Sequence, residues 1–227
     1  MELYHALNRG VDKRTIFLDK QDYARFVHDM YEFNSTEPAF NSIRRSMIDV
    51  GRRSSEQTGL YATPSGERIV DIHGWCLMHN HYHLLLSERI EHGISLFLKK
   101  LNGGYAKYFN ERYKRTGALF QGRTKRKHVD EDSYLLHILN YIHFNPLDTL
   151  ETTHDWRSRK INDSNVAQNH LLHYRWSSYL DYIGQKNFPS ILTTSFFLDV
   201  FNDDYKNQSD SYLSDIETGK IQHLLLE

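Results

Sequence analysis

The mixed apolar and polar stretch from Leu3 to Arg9 reads as a short first strand that runs into the turn Arg9-Gly10. Asp19 stands where a helix N-cap belongs, and Asp22 sits in the first turn, where a carboxylate favours a helix start. Tyr23, Phe26, Val27, Met30 and Tyr31 then recur at helical spacing. Pro38 and a stretch rich in Ser, Arg and Gly break the pattern and predict an irregular or partly helical insertion over about 34–66. Residues 68–77 alternate and contain β-branched residues, and 81–87 read as the second strand of a hairpin turned at Met78-His79-Asn80. Ile94, Phe97, Leu98, Leu101, Tyr105, Tyr108 and Phe109, in steps of three and four, mark an amphipathic helix with Gly103-Gly104 inside it. That pair weakens the helix by roughly 1 kcal/mol per Gly, so it marks a close approach or a kink. A returning strand is expected within 119–129, then a helix from Asp130 that Pro146 ends. The order strand, helix, strand, strand, helix, strand, helix predicts an α+β domain with helices on a mainly antiparallel sheet. This domain is expected over 1–149, followed by an irregular and helical extension over 150–227.

Composition narrows the class. Hydrophobic residues are 39% of the 227, aromatics 13% and charged residues 25%, which excludes disorder of the whole chain. No apolar run approaches the roughly 20 residues of a membrane span, and Met1 to Gly10 carries no apolar signal core, so a cytoplasmic protein is expected. Cys76 is the single cysteine, which excludes a disulfide framework or a cysteine-rich zinc site.

The net charge of −1 conceals a basic middle. Between residues 99 and 127 ten Lys or Arg face one acid, Glu111, whereas 199–227 holds seven acids against two lysines. Arg44, Arg45, Arg52 and Arg53 make the insertion basic too. A polyanionic ligand is expected, nucleic acid before any other, with a solvated helix face as the alternative. The acidic end can compete for the same surface. Phe196, Phe197, Val200 and Phe201 would anchor it and the rest would extend; the alternative is a packed C-terminal helix.

Two groups of residues carry candidate chemistry. In a strand, His81 and His83 leave the same face, so their imidazoles lie side by side beside Leu84-Leu85-Leu86, an arrangement suited to a divalent metal. With 14 histidines in the chain, a pair merely packed on the sheet is the competing reading. His79 is a further ring, placed in the turn. On the last helix of the domain Leu135, Ile138, Leu139 and Ile142 form the buried stripe, and Tyr134, His137, Tyr141 and Asn145 a second one. Tyr141 and Asn145 are neighbours one turn apart. A phenol beside a metal ligand is a candidate nucleophile, although one with an ordinary pKa of about 10 needs activation. A boundary stripe of half-buried aromatics is the alternative.

Together these runs resemble a known family. Gly74-Trp75-Cys76-Leu77-Met78-His79-Asn80-His81-Tyr82-His83-Leu84-Leu85-Leu86 resembles the His-hydrophobic-His (HUH) motif of single-tyrosine transposases. Asn140-Tyr141-Ile142-His143-Phe144-Asn145-Pro146 resembles their tyrosine helix. Tyr4-His5-Ala6-Leu7-Asn8-Arg9-Gly10, Phe109-Asn110-Glu111-Arg112-Tyr113, Gly117-Ala118-Leu119-Phe120-Gln121-Gly122-Arg123 and Trp176-Ser177-Ser178-Tyr179 also match, in order. The pattern is nearest to the REP-associated tyrosine transposases and covers about 3–183. His79 stands where the family usually has Pro, and the insertion and the acidic end are not covered.

The resemblance implies a ferredoxin-like, HUH-type βαββαβα fold and cleavage and rejoining of single-stranded DNA beside an imperfect hairpin. Tyr141 would form a 5′-phosphotyrosine, with Mg2+ or Mn2+ on His81 and His83 and Asn145 at the third ligand position. Arg112, Lys114, Arg115, Arg123, Lys125, Arg126 and Lys127 would meet DNA phosphates, and Phe109, Tyr113 or Phe120 would stack on bases. No small-molecule cofactor or membrane partner is implied; a monomer is expected, with a dimer as the alternative. The rival functions are a non-catalytic hairpin-DNA regulator on the same fold and a metal-dependent RNA-binding domain.

Overall fold

A computed structural model describes residues 1–37, 66–158, 161 and 163–214. The four arginines of the insertion lie outside the described residues. Four strands, β1 (Leu3–Arg9), β2 (Val70–Met78), β3 (His81–Glu88) and β4 (Lys125–Val129), form one sheet in the order β2-β3-β1-β4. Every neighbouring pair is antiparallel. Helix α1 (Lys20–Glu32) links β1 to β2, α2 (Gly93–Arg112) links β3 to β4, and α3 (Asp132–Phe144) follows β4. The expected α+β, ferredoxin-like strand order is therefore present. Beyond α3 come α4 (Ser164–His173), α5 (Tyr179–Tyr182), α6 (Ser195–Val200) and α7 (Tyr205–Ser214).

Local chemistry sets these elements. The Asp19 carboxylate accepts from the Gln21 and Asp22 backbone N–H groups and so caps α1. Past its end, the Asn34 amide donates to the Val70 carbonyl (2.9 Å) and accepts from the Ile69 and Val70 N–H groups. Thr36 N–H donates to the Glu67 carbonyl (3.0 Å), so the two ends of the insertion are held together at the base of the sheet. Helix α2 runs unbroken through Gly103-Gly104. A Cβ on Gly104 would lie 2.2 Å from the Phe33 ring, whereas one on Gly103 would meet nothing within 4 Å. The pair therefore marks a close approach, not a kink, and one of the two glycines accounts for it.

Each face of the sheet has its own core. On one, Ile72, Tyr82, Leu84 and Leu86 pack against Phe26 and Met30 of α1 and Phe97, Leu101 and Tyr105 of α2. On the other, Leu3, Cys76, Met78 and Leu85 meet Tyr134, Ile138, Leu139, Tyr141 and Ile142 of α3, with Trp156, Leu171, Tyr179, Phe197, Phe201, Tyr205 and Leu213 from beyond residue 150. The tyrosine stripe of α3 is consequently interior: Tyr134 and Tyr141 are buried. The alternative of a boundary stripe of half-buried aromatics does not hold for these two tyrosines, because the C-terminal helices cover that side.

The expectation of an acidic arm extending beyond Phe201 is likewise corrected as far as Ser214. Tyr205 and Leu213 are buried, and the Tyr205 hydroxyl is hydrogen-bonded to His143 Nδ1 (2.7 Å). Ser178 Oγ holds His143 Nε2 at 2.7 Å, and burial pushes this histidine down to about 3, so it remains neutral at physiological pH. Residues 175–178 also cover the β2 edge, with Leu77 N–H donating to the Trp176 carbonyl (2.9 Å) and Ser178 N–H to the Trp75 carbonyl (3.0 Å).

The two glycines of α2 separate packing from propensity. Gly103→Ala should raise unfolding stability by about 0.5–1 kcal/mol. Gly104→Ala should lower it by about 1–3 kcal/mol, because the buried Phe33 ring must give way. Urea unfolding of both variants measures this; equal effects would show that Phe33 yields without cost.

Candidate active site

The antiparallel register determines which side chains meet. Cα partners across β1 and β3 are His5 with Leu85, Leu7 with His83 and Arg9 with His81. Across β2 and β3, Cys76 faces His83 and Met78 faces His81. Partners in register share a face, so His81, His83 and His5 all lie on the side covered by α3. Tyr82, between the two histidines, points into the opposite core, where it donates to Asn102 Oδ1 at 2.7 Å.

The two rings have different supports. His81 Nδ1 lies 2.6 Å from Asn80 Oδ1, and the Asn80 amide is oriented by its Nδ2, which donates to the Lys13 carbonyl at 3.3 Å. His83 Nδ1 lies 2.9 Å from His5 Nε2, and His5 Nδ1 lies 3.2 Å from the Tyr134 hydroxyl. The His81 and His83 rings are edge to face with centroids 5.0 Å apart, close enough for both to reach one ion. His79 is an exposed turn residue whose carbonyl accepts from Ile16 and Phe17 N–H groups.

Tyr141 of α3 sits over this group. Its ring is edge-on to His83 (5.6 Å between centroids) and to His5 (5.7 Å). It is 3% exposed and its hydroxyl is buried. Asn145 ends the helix: its Nδ2 donates to the Tyr141 carbonyl (2.7 Å), and its Oδ1 accepts from Arg157 Nη2 (2.8 Å). The Arg157 guanidinium lies over the Tyr141 ring at 5.4 Å and the Trp156 ring at 4.5 Å, and pairs with Asp148. Trp156 Nε1 donates to the same carboxylate at 2.8 Å.

This donor set fits a divalent ion at two positions. Both imidazoles have Nδ1 engaged by a neighbour, the arrangement that turns Nε2 toward a metal. Among the described residues no group of three His, Cys, Asp or Glu side chains is placed to hold one. Asn145 as placed does not complete the shell, because its oxygen already accepts from a cation, which opposes a second cation at the same atom.

The basic segment divides in two. Arg112 makes a bidentate pair with Asp19 (3.0 and 2.6 Å) and also bonds Asp22, which is buried and accepts from the Tyr108 and Tyr113 hydroxyls. Arg115 donates to Asn110 Oδ1 (2.6 Å) and the Ala118 carbonyl (3.2 Å). Arg126 donates to Ser95 Oγ (2.9 Å). Lys114, Arg123 and Lys125 are exposed, and Lys127 lies half-buried with its ammonium over the Tyr134 ring at 5.1 Å. Lys125 and Lys127 are register partners of Leu7 and His5, so they flank the histidine face on the edge strand. Phe109 and Phe120 are core residues and the Tyr113 hydroxyl is tied to Asp22, so none of the three presents an open ring to bases, contrary to the expectation from sequence.

Sequence reasoning missed His5, Trp156 and Arg157 as site residues. His5 lay inside a motif that matched the family but carried no assigned role. Trp156 and Arg157 lie in a stretch without periodicity, and only the fold brings them to Tyr141.

Comparison with known proteins bears on the same residues. The family model described as transposase, IS200-like, matches residues 43–145, a stretch that holds His81, His83, Tyr141 and Asn145. The chain resembles that family there, and a DNA-processing role of transposase type accompanies the resemblance. A solved structure described as a REP-associated tyrosine transposase bound to a REP hairpin is similar at 13% identity and a TM-score of 0.45, over 85% of each chain. No curated protein matches. Among the described residues no helix is long and apolar enough to cross a membrane.

Burial changes what a histidine variant does. From the sequence, loss of either ring should leave folding intact, because both would face a cleft. His83 is instead fully buried and bonded to His5. His83→Ala should therefore cost about 1–3 kcal/mol of stability, through a cavity and an unsatisfied His5 nitrogen. Denaturant unfolding checks this, and a midpoint equal to wild type would show that water replaces the ring.

Proposed function

We propose that this chain cleaves and rejoins single-stranded DNA beside a hairpin, with Tyr141 as the nucleophile. The observation that carries the reading is the meeting of the phenol ring with the paired imidazoles, two features 58 or more residues apart in sequence that the fold sets edge to face. The phenol oxygen bonds to phosphorus as the phosphorus–O3′ bond breaks. The phenol loses its proton and the 3′ oxygen gains one, leaving a 5′-phosphotyrosine that conserves the bond for rejoining. His81 and His83 would hold Mg2+ or Mn2+, which would supply Lewis-acid polarisation of a phosphoryl oxygen.

The chain's own residues do the rest. His5 and His83 hold one edge of the Tyr141 ring, and Asn145 and Arg157 hold the end of its helix. Lys125 and Lys127 on the β4 edge, with Arg123 just before it, provide positive charge for phosphates, and the exposed Lys114 lies beyond the C-terminus of α2. Arg112 and Arg115 contribute little to that track, since their hydrogen bonds are made within the protein.

One observation favours a second reading, a hairpin-binding regulator that does not cut. The Tyr141 hydroxyl is buried and Asn145 is engaged by Arg157. Under the first reading the arriving strand must displace the residues that cover the phenol.

Tyr141→Phe should keep hairpin-oligonucleotide affinity within about twofold and abolish the covalent protein–DNA adduct, since it removes one hydroxyl. A wild-type chain that binds the hairpin and forms no adduct with Mg2+ or Mn2+ establishes the regulator.

Arg123→Ala with Lys125→Ala should flatten the dependence of log affinity on log salt, by about 0.7–0.9 for each phosphate the side chains no longer neutralise. An unchanged slope would make these side chains a solvated surface.

A further inference from the structure

Each candidate metal-facing histidine needs a neutral ring with its lone pair on Nε2. For His81 the neighbour decides. Asn80 Oδ1 only accepts hydrogen bonds, and the Asn80 amide is fixed by its Nδ2 bond to the Lys13 carbonyl. His81 Nδ1 therefore carries the proton, and the lone pair is on Nε2.

For His83 the neighbour is another histidine, and two proton arrangements satisfy the same heavy atoms. In one, the Tyr134 hydroxyl donates to His5 Nδ1, His5 Nε2 donates to His83 Nδ1, and the His83 proton sits on Nε2. In the other, His83 Nδ1 donates to His5 Nε2, and His5 Nδ1 donates to the Tyr134 oxygen. The second alone leaves the His83 lone pair on Nε2.

We propose that His5 is a positioning residue that holds His83 in its Nδ1–H tautomer and fixes its ring, with the Tyr134 oxygen as the terminal acceptor of the chain. The inference rests on the metal role given to His83 above. His5 suits the task. It is fully buried on β1 and stacks on His83 with centroids 5.1 Å apart and planes 21° apart. Its ring also meets the edge of Tyr141, so one side chain sets both the ligand and the nucleophile. Strand pairing fixes its height: His5 and Leu7 are successive residues on this face of β1, and Leu7 is the register partner of His83. Metal-binding histidines settle tautomer and basicity by donating their other ring N–H to an outer acceptor, and here the His5 imidazole, backed by the Tyr134 oxygen, stands in that acceptor's place.

The test uses the full chain. Long-range proton–nitrogen NMR of the metal-free protein should show His83 protonated at Nδ1, with the signal assigned by its disappearance in His83→Gln. His5→Phe should release that tautomer into a mixture, and His5→Gln, whose carbonyl can accept from Nδ1, should restore it. Mn2+ affinity followed by electron paramagnetic resonance should fall about 10–100-fold in His5→Phe and recover to within about threefold of wild type in His5→Gln. A wild-type His83 protonated at Nε2 overturns the proposal, and so does Mn2+ affinity equal to wild type in a folded His5→Phe. An affinity that falls alike in His5→Phe and His5→Gln overturns it too, and makes His5 a ligand. If the wild-type chain binds no Mn2+, the metal part of the proposed function fails, while the NMR tautomer still decides the role of His5.

Discussion

The pairing of β1 with β3 is the constraint on which the rest depends. Because side chains alternate along a strand, a slip of one residue would send His81 and His83 into the α1–α2 core and turn Tyr82 toward α3. The opposite face prevents it. Tyr82 is fully buried against Phe26 and Phe120, and its hydroxyl reaches Asn102. Leu84 and Leu86 are buried on the same side. An apolar core that takes no part in chemistry thus fixes, through the pleat, the height and direction of both imidazoles. His5, one strand away, inherits its place from the same register.

Charge is sorted by the same architecture. The run of cations along α2 and β4 reads in sequence as one basic surface, but the helix packs one of its faces against α1. Arg112 there meets Asp19 and the buried Asp22, and a carboxylate taken out of water requires such a partner together with the Leu18 N–H, Tyr108 and Tyr113 donors that satisfy its remaining lone pairs. What remains for a polyanion is the strand edge, where Lys125, Arg126 and Lys127 alternate between the two faces. Lysines on an edge also oppose unwanted strand pairing, so the charges that suit DNA serve the fold of the free protein.

The strands, the α1 cap and the α3 stripe were legible because each depends on neighbours in sequence: period two, period three to four, and a carboxylate before a helix. Spacing alone puts His81 with His83 on one strand face and Tyr141 with Asn145 on one helix face; their reading as chemistry came from the resemblance of the runs that hold them. The partners were not legible. Asp22 and Arg112 are 90 residues apart, His5 and His83 are 78, and His5 and Tyr134 are 129. Nothing local marks such pairs. How deeply Tyr141 is buried was left open for a related reason. A stripe looks like a boundary when only its own helix is considered, and here Trp156, Tyr205 and Leu213 arrive from a segment with weak periodicity to cover it.

That cover bears on how a buried phenol can react. Helix α3 is held by the sheet on one side and by α7 through His143 and Tyr205 on another, so tilting it would break a core. The 3-10 turn His154–Ser158 is held differently, by Asp148 through Trp156 Nε1 and the Arg157 guanidinium and by Asn145 through Arg157. Its arginine is partly exposed, and its bonds to a carboxylate and an amide oxygen are of a kind that phosphate oxygens reproduce with equal geometry and more charge. On the proposed reading, a strand that reaches Arg157 offers it a phosphate in exchange for Asp148 and Asn145. That exchange would move the guanidinium that lies over Tyr141 and free the Asn145 oxygen in one event. The free protein keeps the Tyr141 hydroxyl out of water, and on the proposed reading the substrate itself would supply the groups that uncover it.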